Sequence, residues 1–452
     1  MELPTKKRAL TAALANLSRL LLGVVLAASG FVKAVDPKGL FYKLNEYATA
    51  FSLDAIPEMW LELASFALPV AEFVLGVLLL MGVYNRLVTK LVFIAFLLFT
   101  PFTLLIALWN PVQDCGCFGD AIHLSNWATF AKNMLLLACA TMVCIKHRLF
   151  VRKISSSNRW MVTMFSVFFI SAVAAVGMYN LPIIDFRPFA VGSDLRAATE
   201  DIPSEYEVIY RLEKDGHIEE FTDETYPDST WKYLGSRTDV VKEGHPALIA
   251  DFSFLDSEEN DYAMEMLADS GYLFILVMHN IESADESRVD KINELYDFCE
   301  DSGIPFYAAT SSDESEMQLW RKRTGAEYPI LWADDIMLKT MIRANPGVVM
   351  LKDGKVEGKW NVEYMPQIED YDRETALQSL SEKQSGVCSW QSWLFVLSLS
   401  VLFFVVFDLL AGDKKKKTVK TDENSEINQN LFLGTKKMHP IKSIKDIIAA
   451  AP

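Results

Sequence analysis

Six apolar runs dominate this chain, at 17–35, 60–83, 87–109, 127–145, 160–179 and 390–410. Each approaches twenty residues, and an α-helix rising 1.5 Å per residue needs about twenty to cross a hydrocarbon core about 30 Å thick. Helices that are apolar all round have no face to offer water. The expected fold is therefore an α-helical membrane bundle with six spans, and its first partner is the lipid bilayer.

Charge divides the chain further. Residues 185–387 hold 44 Asp and Glu against 19 Lys and Arg, a net charge of −25, whereas the whole chain carries −16. An acidic soluble domain is thus joined to a basic membrane unit. The acidic excess argues against a nucleic-acid partner, which needs a basic face to neutralise phosphate.

Short loops assign the sides. Lys6, Lys7 and Arg8 precede the first run, Arg86 and Lys90 lie by the second loop, residues 146–159 fill the fourth, and Lys414–Lys417 follow the last. The positive-inside rule puts all four in the cytoplasm, with both termini. The loop 110–126, which has no Lys or Arg, and residues 180–388 fall on the other side. In a bacterial inner membrane that side is the periplasm, where disulfides persist. A cleaved signal peptide would also explain the basic start and the first run. An anchor is the better reading, because losing that span breaks the charge alternation.

The expected organisation is a four-span membrane unit at 1–150, a fifth span within 151–184, a linker and β-rich segment at 185–243, a soluble α/β domain at 244–387, a sixth span at 388–411 and a basic cytoplasmic tail at 412–452.

Chemistry concentrates in "DCGCFGD", Asp114 to Asp120. Cys115 and Cys117 flank Gly116, whose freedom permits the bend that an i, i+2 pairing requires. So small a ring removes little chain entropy, which argues for a labile bond over a structural staple. Redox chemistry leads. The alternatives are a tight structural loop and a metal clasp with His123; no metal is assigned, because zinc spacing normally brings a second pair. Three ionisable residues inside or at the ends of spans add functional candidates: Glu72, Lys132 and Lys33. Lys132 lies on the cysteine side, where an ammonium would favour a thiolate, and Glu72 would pair with it or pass protons. Snorkelling or a structural ion pair are the plain readings for Lys33 and Glu72. Cys139, Cys144 and Cys299 read as buried small hydrophobes. Cys388, ahead of the last span, is either a resolving thiol or unpaired.

"SGFVKAVDPKG" at 29–39, "PVAEFVLGVLLLMG" at 69–82 and "DCGCFGD" with "LSNWATFAKN" at 114–133 together resemble DoxX-like membrane proteins, specifically the MauE branch associated with methylamine utilisation. The resemblance covers about the first 145 residues. It implies a four-helix unit linked to disulfide or quinone-side redox chemistry that supports maturation of a disulfide-rich periplasmic protein. The further spans and soluble domain depart from that pattern and leave methylamine doubtful as the context. The whole arrangement resembles Bacteroidetes-type fusions of such a unit to a thioredoxin-like domain.

In the soluble part, two β-rich runs around Lys214, Asp215 and Gly216 read as a hairpin. "GYLFILVMHN" at 271–280 is an apolar strand of the kind covered on both faces. Helical patterns at 286–301, 315–323 and 335–343 alternate with "IPFYAAT", and "NPGVVMLKDGKVEGKW" closes with a hairpin. This order resembles the thioredoxin fold, especially TlpA-like members, over about 244–361. The resemblance assigns Pro346 to the cis proline of that fold. The window where such enzymes carry Cys-x-x-Cys reads "HNIESADES", His279 to Ser287, without a cysteine. Its Glu282, Asp285 and Glu286 would repel a thiolate. The domain is therefore read as a binding or scaffold domain, with His279 structural and the basic "WRKRTG" at 320–325 a solvated helix end.

The leading functional expectation is thiol–disulfide chemistry at Cys115 and Cys117, tuned by Lys132 and Glu72, with a periplasmic client or oxidoreductase held by the soluble domain. If the chain is an enzyme, it is a thiol–disulfide oxidoreductase whose thioredoxin-like domain is not catalytic. A second expectation is a non-enzymatic assembly or anchoring protein. A third, with a quinone as candidate cofactor, requires an apolar pocket near Trp109, Phe118 or Trp127.

Overall fold

Helix α1 (Thr5–Val35) carries the first apolar run and starts well before it. In the computed structural model, residues 5–382 are described, apart from 54, 113, 151–153, 155–157, 215, 243, 245 and 369–371. The expected sixth span, Cys388 and the basic tail lie outside the described residues. After α1 come α2 (Pro37–Ala50), α3 (Glu58–Met81), α4 (Asn85–Trp109), α5 (Asn126–Lys146) and α6 (Arg159–Tyr179). All but α2 are long and apolar enough to cross a membrane, five among the described residues.

Small residues let α1 and α3 cross at backbone distance. A Cβ on Gly30 would lie 2.4 Å from the Phe73 nitrogen, and one on Gly76 would lie 2.4 Å from the Ala27 nitrogen. Lipid offers no hydrophobic drive between helices, so such close van der Waals packing holds spans together. One consequence is that Lys33, one turn beyond Gly30, reaches Glu72 on α3.

Helix α2 was not expected. Asp36 caps it, its Oδ1 accepting from the Gly39 nitrogen at 2.9 Å, and Pro37 takes the first helical position. Both residues are helix-start signals. Fourteen residues with mixed polarity carry too weak a periodicity to stand out beside twenty-residue spans. The helix packs on α3 and α6 at the end of the bundle where the cysteine loop emerges.

Beyond α6 the chain forms α7 (Leu195–Thr199) and an antiparallel sheet of β1 (Glu205–Lys214), β2 (His217–Phe221) and β3 (Lys232–Lys242), ordered β2-β1-β3. Lys214 pairs with His217 across the expected hairpin. Next come α8 (Ala263–Ala268), β4 (Tyr272–Met278), α9 (Val289–Ser302), β5 (Phe306–Thr310), α10 (Glu314–Thr324), β6 (Ile330–Trp332), α11 (Asp335–Met341), β7 (Gly347–Lys352), β8 (Lys355–Asn361) and α12 (Arg373–Glu382). The sheet order is β6-β5-β4-β7-β8, with β4, β5 and β6 parallel and β7 antiparallel to both β4 and β8.

Strand β4 is the spine of this domain. Leu273, Ile275 and Val277 enter one core with residues of α8 and α11, while Phe274, Leu276 and Met278 enter another with residues of α9 and α10. Burial on both faces is why its sequence is apolar without alternation. The Asn345–Pro346 peptide bond at the head of β7 is cis. A parallel βαβ unit followed by an antiparallel hairpin, with a cis proline entering the hairpin, is a thioredoxin-like arrangement. Trp320, expected in a solvated helix end, is instead fully buried, its indole nitrogen donating to the Tyr328 hydroxyl at 3.0 Å. The helix turn puts this one aromatic inward, while the three basic residues after it belong to the final turn before Gly325.

Candidate functional site at the cysteine loop

The loop between α4 and α5 is short, so its shape comes from tethers. Asn126, at the start of α5, donates to the Asn110 side chain at 2.7 Å and to the Val112 carbonyl at 2.9 Å. Gly116 adopts a φ of +63°, in the left-handed region that a side chain disfavours. That turn brings the Cys115 and Cys117 sulfurs to 3.1 Å, as two free thiols in hydrogen-bond contact.

Three further tethers hold the pair. Ser29 of α1, only 4% exposed, donates to the Cys117 carbonyl at 2.6 Å. Tyr47 of α2 donates to the Cys115 carbonyl at 3.1 Å. Lys43 of α2 bonds Asp114 at 2.6 Å and Glu46 at 2.9 Å. Burial, and then the neighbouring cysteines, push the Tyr47 hydroxyl far up, so it keeps its proton and remains a donor.

The two thiols are electrostatically unequal. The hydrogen bond from Cys115, aided by Lys132 and Lys33 and opposed by burial, brings the Cys117 thiol down to about 6. The same contact, together with burial, pushes the Cys115 thiol up. One proton shared over 3.1 Å therefore favours a Cys117 thiolate beside a Cys115 thiol.

The expected supporting residues divide. Lys132 places its ammonium 4.7 Å above the Phe118 ring, beside the loop. Glu72 does not pair with Lys132: its partner is Lys33, at 2.6 Å. The Gly30 crossing explains this correction, because it brings α1 within reach of α3. Lys33 is accordingly an ion-pair partner rather than a snorkelling cation. His123 lies 3.1 Å from Asp114 and is 69% exposed; no cluster of three or more His, Cys, Asp or Glu side chains suited to a metal occurs among the described residues. Trp109 and Trp127 are exposed on the bundle, and with Phe118 they line none of the three cavities described.

The soluble domain is seated on this loop. Arg343, 6% exposed and just beyond α11, donates from Nε to Asp36 and from Nη2 to Asp120, each at 2.9 Å. Lys38 of α2 returns a bond to the Arg343 carbonyl at 2.9 Å. Burial opposes both charges; the Arg343 and Arg187 cations still hold the Asp36 carboxyl below its usual range, and Asp36 and Asp120 raise the Arg343 guanidinium. A cavity of about 350 Å³ remains between the two parts, bounded by Lys43, Gly116, Asp120, His123 and Arg343.

The thiol-free window of the thioredoxin-like domain faces the same junction. The His279 ring meets Tyr42 of α2 edge to face, with centroids 6.4 Å apart. Burial, then Lys339, lowers the His279 imidazole to about 4, leaving it neutral near pH 7. Asn345 donates to the Asn280 carbonyl at 2.8 Å and to the Ser283 hydroxyl at 3.1 Å, tying the cis-proline loop to the window. Asp285 spends its carboxylate on the Ser287 nitrogen, and Glu286 pairs with Arg323 at 2.8 Å. The cysteine that follows, Cys299, is fully buried in α9, and burial pushes its thiol up to about 12.

Sequence reasoning named Cys115, Cys117, Gly116, Glu72, Lys132 and Lys33, but not Ser29, Lys43, Tyr47 or Arg343, which the structure brings to the same loop. The Asp36-Pro37 helix start could have announced α2. Nothing local marks Arg343, more than 200 residues from its carboxylate partners.

Residues 11–146 match the family "Methylamine utilisation protein MauE", and residues 206–243 match a domain of unknown function. A search of curated proteins finds no match. Solved structures similar to part of the chain include reduced Prx3 from Vibrio vulnificus, at 15% identity and TM-score 0.23 over 29% of this chain and 95% of that one. Another is the bacterioferritin comigratory protein of Xanthomonas campestris, at 15% identity and TM-score 0.21 over 32% and 96%. An uncharacterized conserved protein from Geobacillus kaustophilus gives 14% identity and TM-score 0.22 over 30% and 82%. The strand order β6-β5-β4-β7-β8, with β7 antiparallel to β4, is what makes this domain thioredoxin-like. The chain is thus a membrane protein whose residues 11–146 match the MauE family, joined to a domain of thioredoxin-like fold.

Proposed function

We propose that this protein performs thiol–disulfide exchange at Cys115 and Cys117 on extracytoplasmic clients. The observation that carries the reading is the pair of free sulfurs 3.1 Å apart, tethered by Ser29, Tyr47 and Lys43, with Cys117 favoured as thiolate. The Cys117 thiolate attacks one sulfur of a client disulfide and expels the other as a client thiolate. Cys115, whose proton passes to a leaving thiolate, then attacks the mixed disulfide. The products are a Cys115–Cys117 disulfide and a client dithiol, and the reverse sequence oxidises a client. Gly116 lets the chain bend into the small ring, Lys132 favours the thiolate, and the Lys33–Glu72 pair keeps two charges fixed beneath the loop.

In this reading the loop and the soluble domain face the periplasm of a bacterial inner membrane, with six spans, both termini in the cytoplasm, and extracytoplasmic protein maturation as the setting. The thioredoxin-like domain holds client or oxidoreductase and supplies no thiol. These steps balance without a quinone.

The test is thiol trapping in native membranes after rapid acid quench, with Cys115→Ser and Cys117→Ser assigning the bands. Mixed oxidised and reduced populations that follow the external redox poise are expected. Thiols that stay reduced at every poise would sink the proposal. The buried Arg343 clamp supports a second reading, a non-enzymatic assembly protein; there both serine variants would keep full function, while charge changes on the soluble domain would abolish it.

A further inference from the structure

The opposite ends of the spans hold a second charged centre. The α3–α4 turn, the end of α5 and the start of α6 enclose a cavity of about 470 Å³ lined by Arg86, Arg148, Arg159 and His147, with no carboxylate in its wall among the described residues. None of the three arginines forms an ion pair among the described residues. This contrasts with the cysteine side, where Lys33, Lys43 and Arg343 are all paired. Three like charges around one cavity repel one another, and an anion seated among them relieves that cost. Arg159 is already placed, its guanidinium 4.7 Å over the Tyr84 ring. Helix α4 begins beside it without a side-chain cap, so its first-turn N–H groups add to the positive potential.

We propose that this cavity binds a phosphate group, delivered as the headgroup of an anionic phospholipid. The guanidinium fork matches phosphate oxygens, and a cluster of arginines between span ends lies at the depth where headgroups sit. Leu87, Phe150 and Ile154 complete the wall, giving an apolar border that suits the lipid's glycerol and first methylenes better than a free ion. Arg19, 7% exposed, stacks 5.2 Å above Phe150 and carries the basic character inward.

The site can be tested on the full chain without reference to thiol chemistry. The protein is purified in neutral detergent, titrated with phosphatidylglycerol, phosphatidylcholine or inorganic phosphate, and read by native mass spectrometry. One phosphatidylglycerol per chain, preferred over phosphatidylcholine, is expected. Arg86→Gln, Arg148→Gln and Arg159→Gln should each weaken retention by roughly tenfold, as expected for loss of one charge-assisted contact, and the triple variant by about a hundredfold or more. Thermal unfolding in the same detergent reports whether a variant is folded. Should the triple variant fail that check, Arg148→Gln, an exposed residue, carries the test. Binding of inorganic phosphate alone with the same arginine dependence would keep the phosphate site and assign a soluble anion as its source. Equal retention of both lipids, or a phosphatidylglycerol preference untouched by the arginine changes, overturns the proposal.

Discussion

Two segments of this chain occupy positions suited to redox chemistry, and they meet at one junction. The loop at 114–120 has both thiols, a left-handed glycine and tethers from α1 and α2. The window at 279–287 sits where a thioredoxin-fold enzyme would carry its pair, next to a cis proline, yet holds no cysteine and turns a neutral histidine toward Tyr42. The difference teaches that the fold's reactive face has become a contact surface. In the proposed reading the chemistry falls to the membrane unit, where Lys33 of α1 and Lys132 of α5 favour the Cys117 thiolate.

The sharpest break in that comparison is to remove the thiols. Cys117→Ser should abolish exchange, by at least about a hundredfold, because the attacking sulfur is gone. Cys115→Ser should instead trap a mixed disulfide with the client, visible as a mass shift on a non-reducing gel. Moving Cys-x-x-Cys into 279–287 of the Cys117→Ser protein should restore nothing, since Tyr42 packs against the window; recovered exchange would show that the window had lost only its sulfurs.

Seating of the soluble domain comes next. Arg343→Met leaves Asp36 and Asp120 without their shared cation, and breaking a buried pair typically costs about 3–5 kcal/mol. Asp120 is half-open to solvent, so a loss of about 2–3 kcal/mol is expected. Thermal unfolding and protease access at the junction would register it. Asp120→Asn combined with Arg343→Met should cost less than the sum of the two single changes, because they share one contact.

A smaller effect concerns pH. With its thiol near 6, Cys117 should alkylate with a midpoint about 2.5 units below an ordinary cysteine, fast at pH 7 and slowing as pH falls through 6. For the pair, stability rises as pH climbs from 6 to the ordinary thiol range and falls again above it, where Cys115 keeps a proton that the unfolded chain releases. Lys132→Met should move the alkylation midpoint up by roughly one unit, since the ammonium favours the thiolate. An unchanged midpoint would mean that the Cys115 hydrogen bond alone sets Cys117.

The smallest expected change is at the window. His279→Gln removes a ring that titrates near 4 when folded and near 6.5 when free. The wild-type protein should therefore lose stability between pH 6.5 and 4, as the unfolded chain takes up the proton first. The variant should lose that part of the slope. A chemical denaturation series at several pH values would read it.

Much of the architecture was legible before any coordinates. Twenty-residue apolar stretches become spans because lipid leaves the backbone no other partner than itself. An apolar strand without alternation becomes the spine of a sheet covered on both faces. The Cys-Gly-Cys loop was visible because its residues are consecutive. Helix α2 escaped notice because its burial depends on α3 and α6, not on its own pattern.

What the sequence by itself determined is the membrane unit, the thioredoxin-like order of strands and the place of the two thiols, all set by local hydrophobicity and spacing. Only the tertiary structure decided who serves them. Gly30 brings Lys33 rather than Lys132 to Glu72. α2 delivers Lys43 and Tyr47 to the loop. Arg343 crosses more than 200 positions to grip Asp36 and Asp120. Ion pairs and hydrogen bonds act over a few ångströms, and only packing decides which distant residues come within that range.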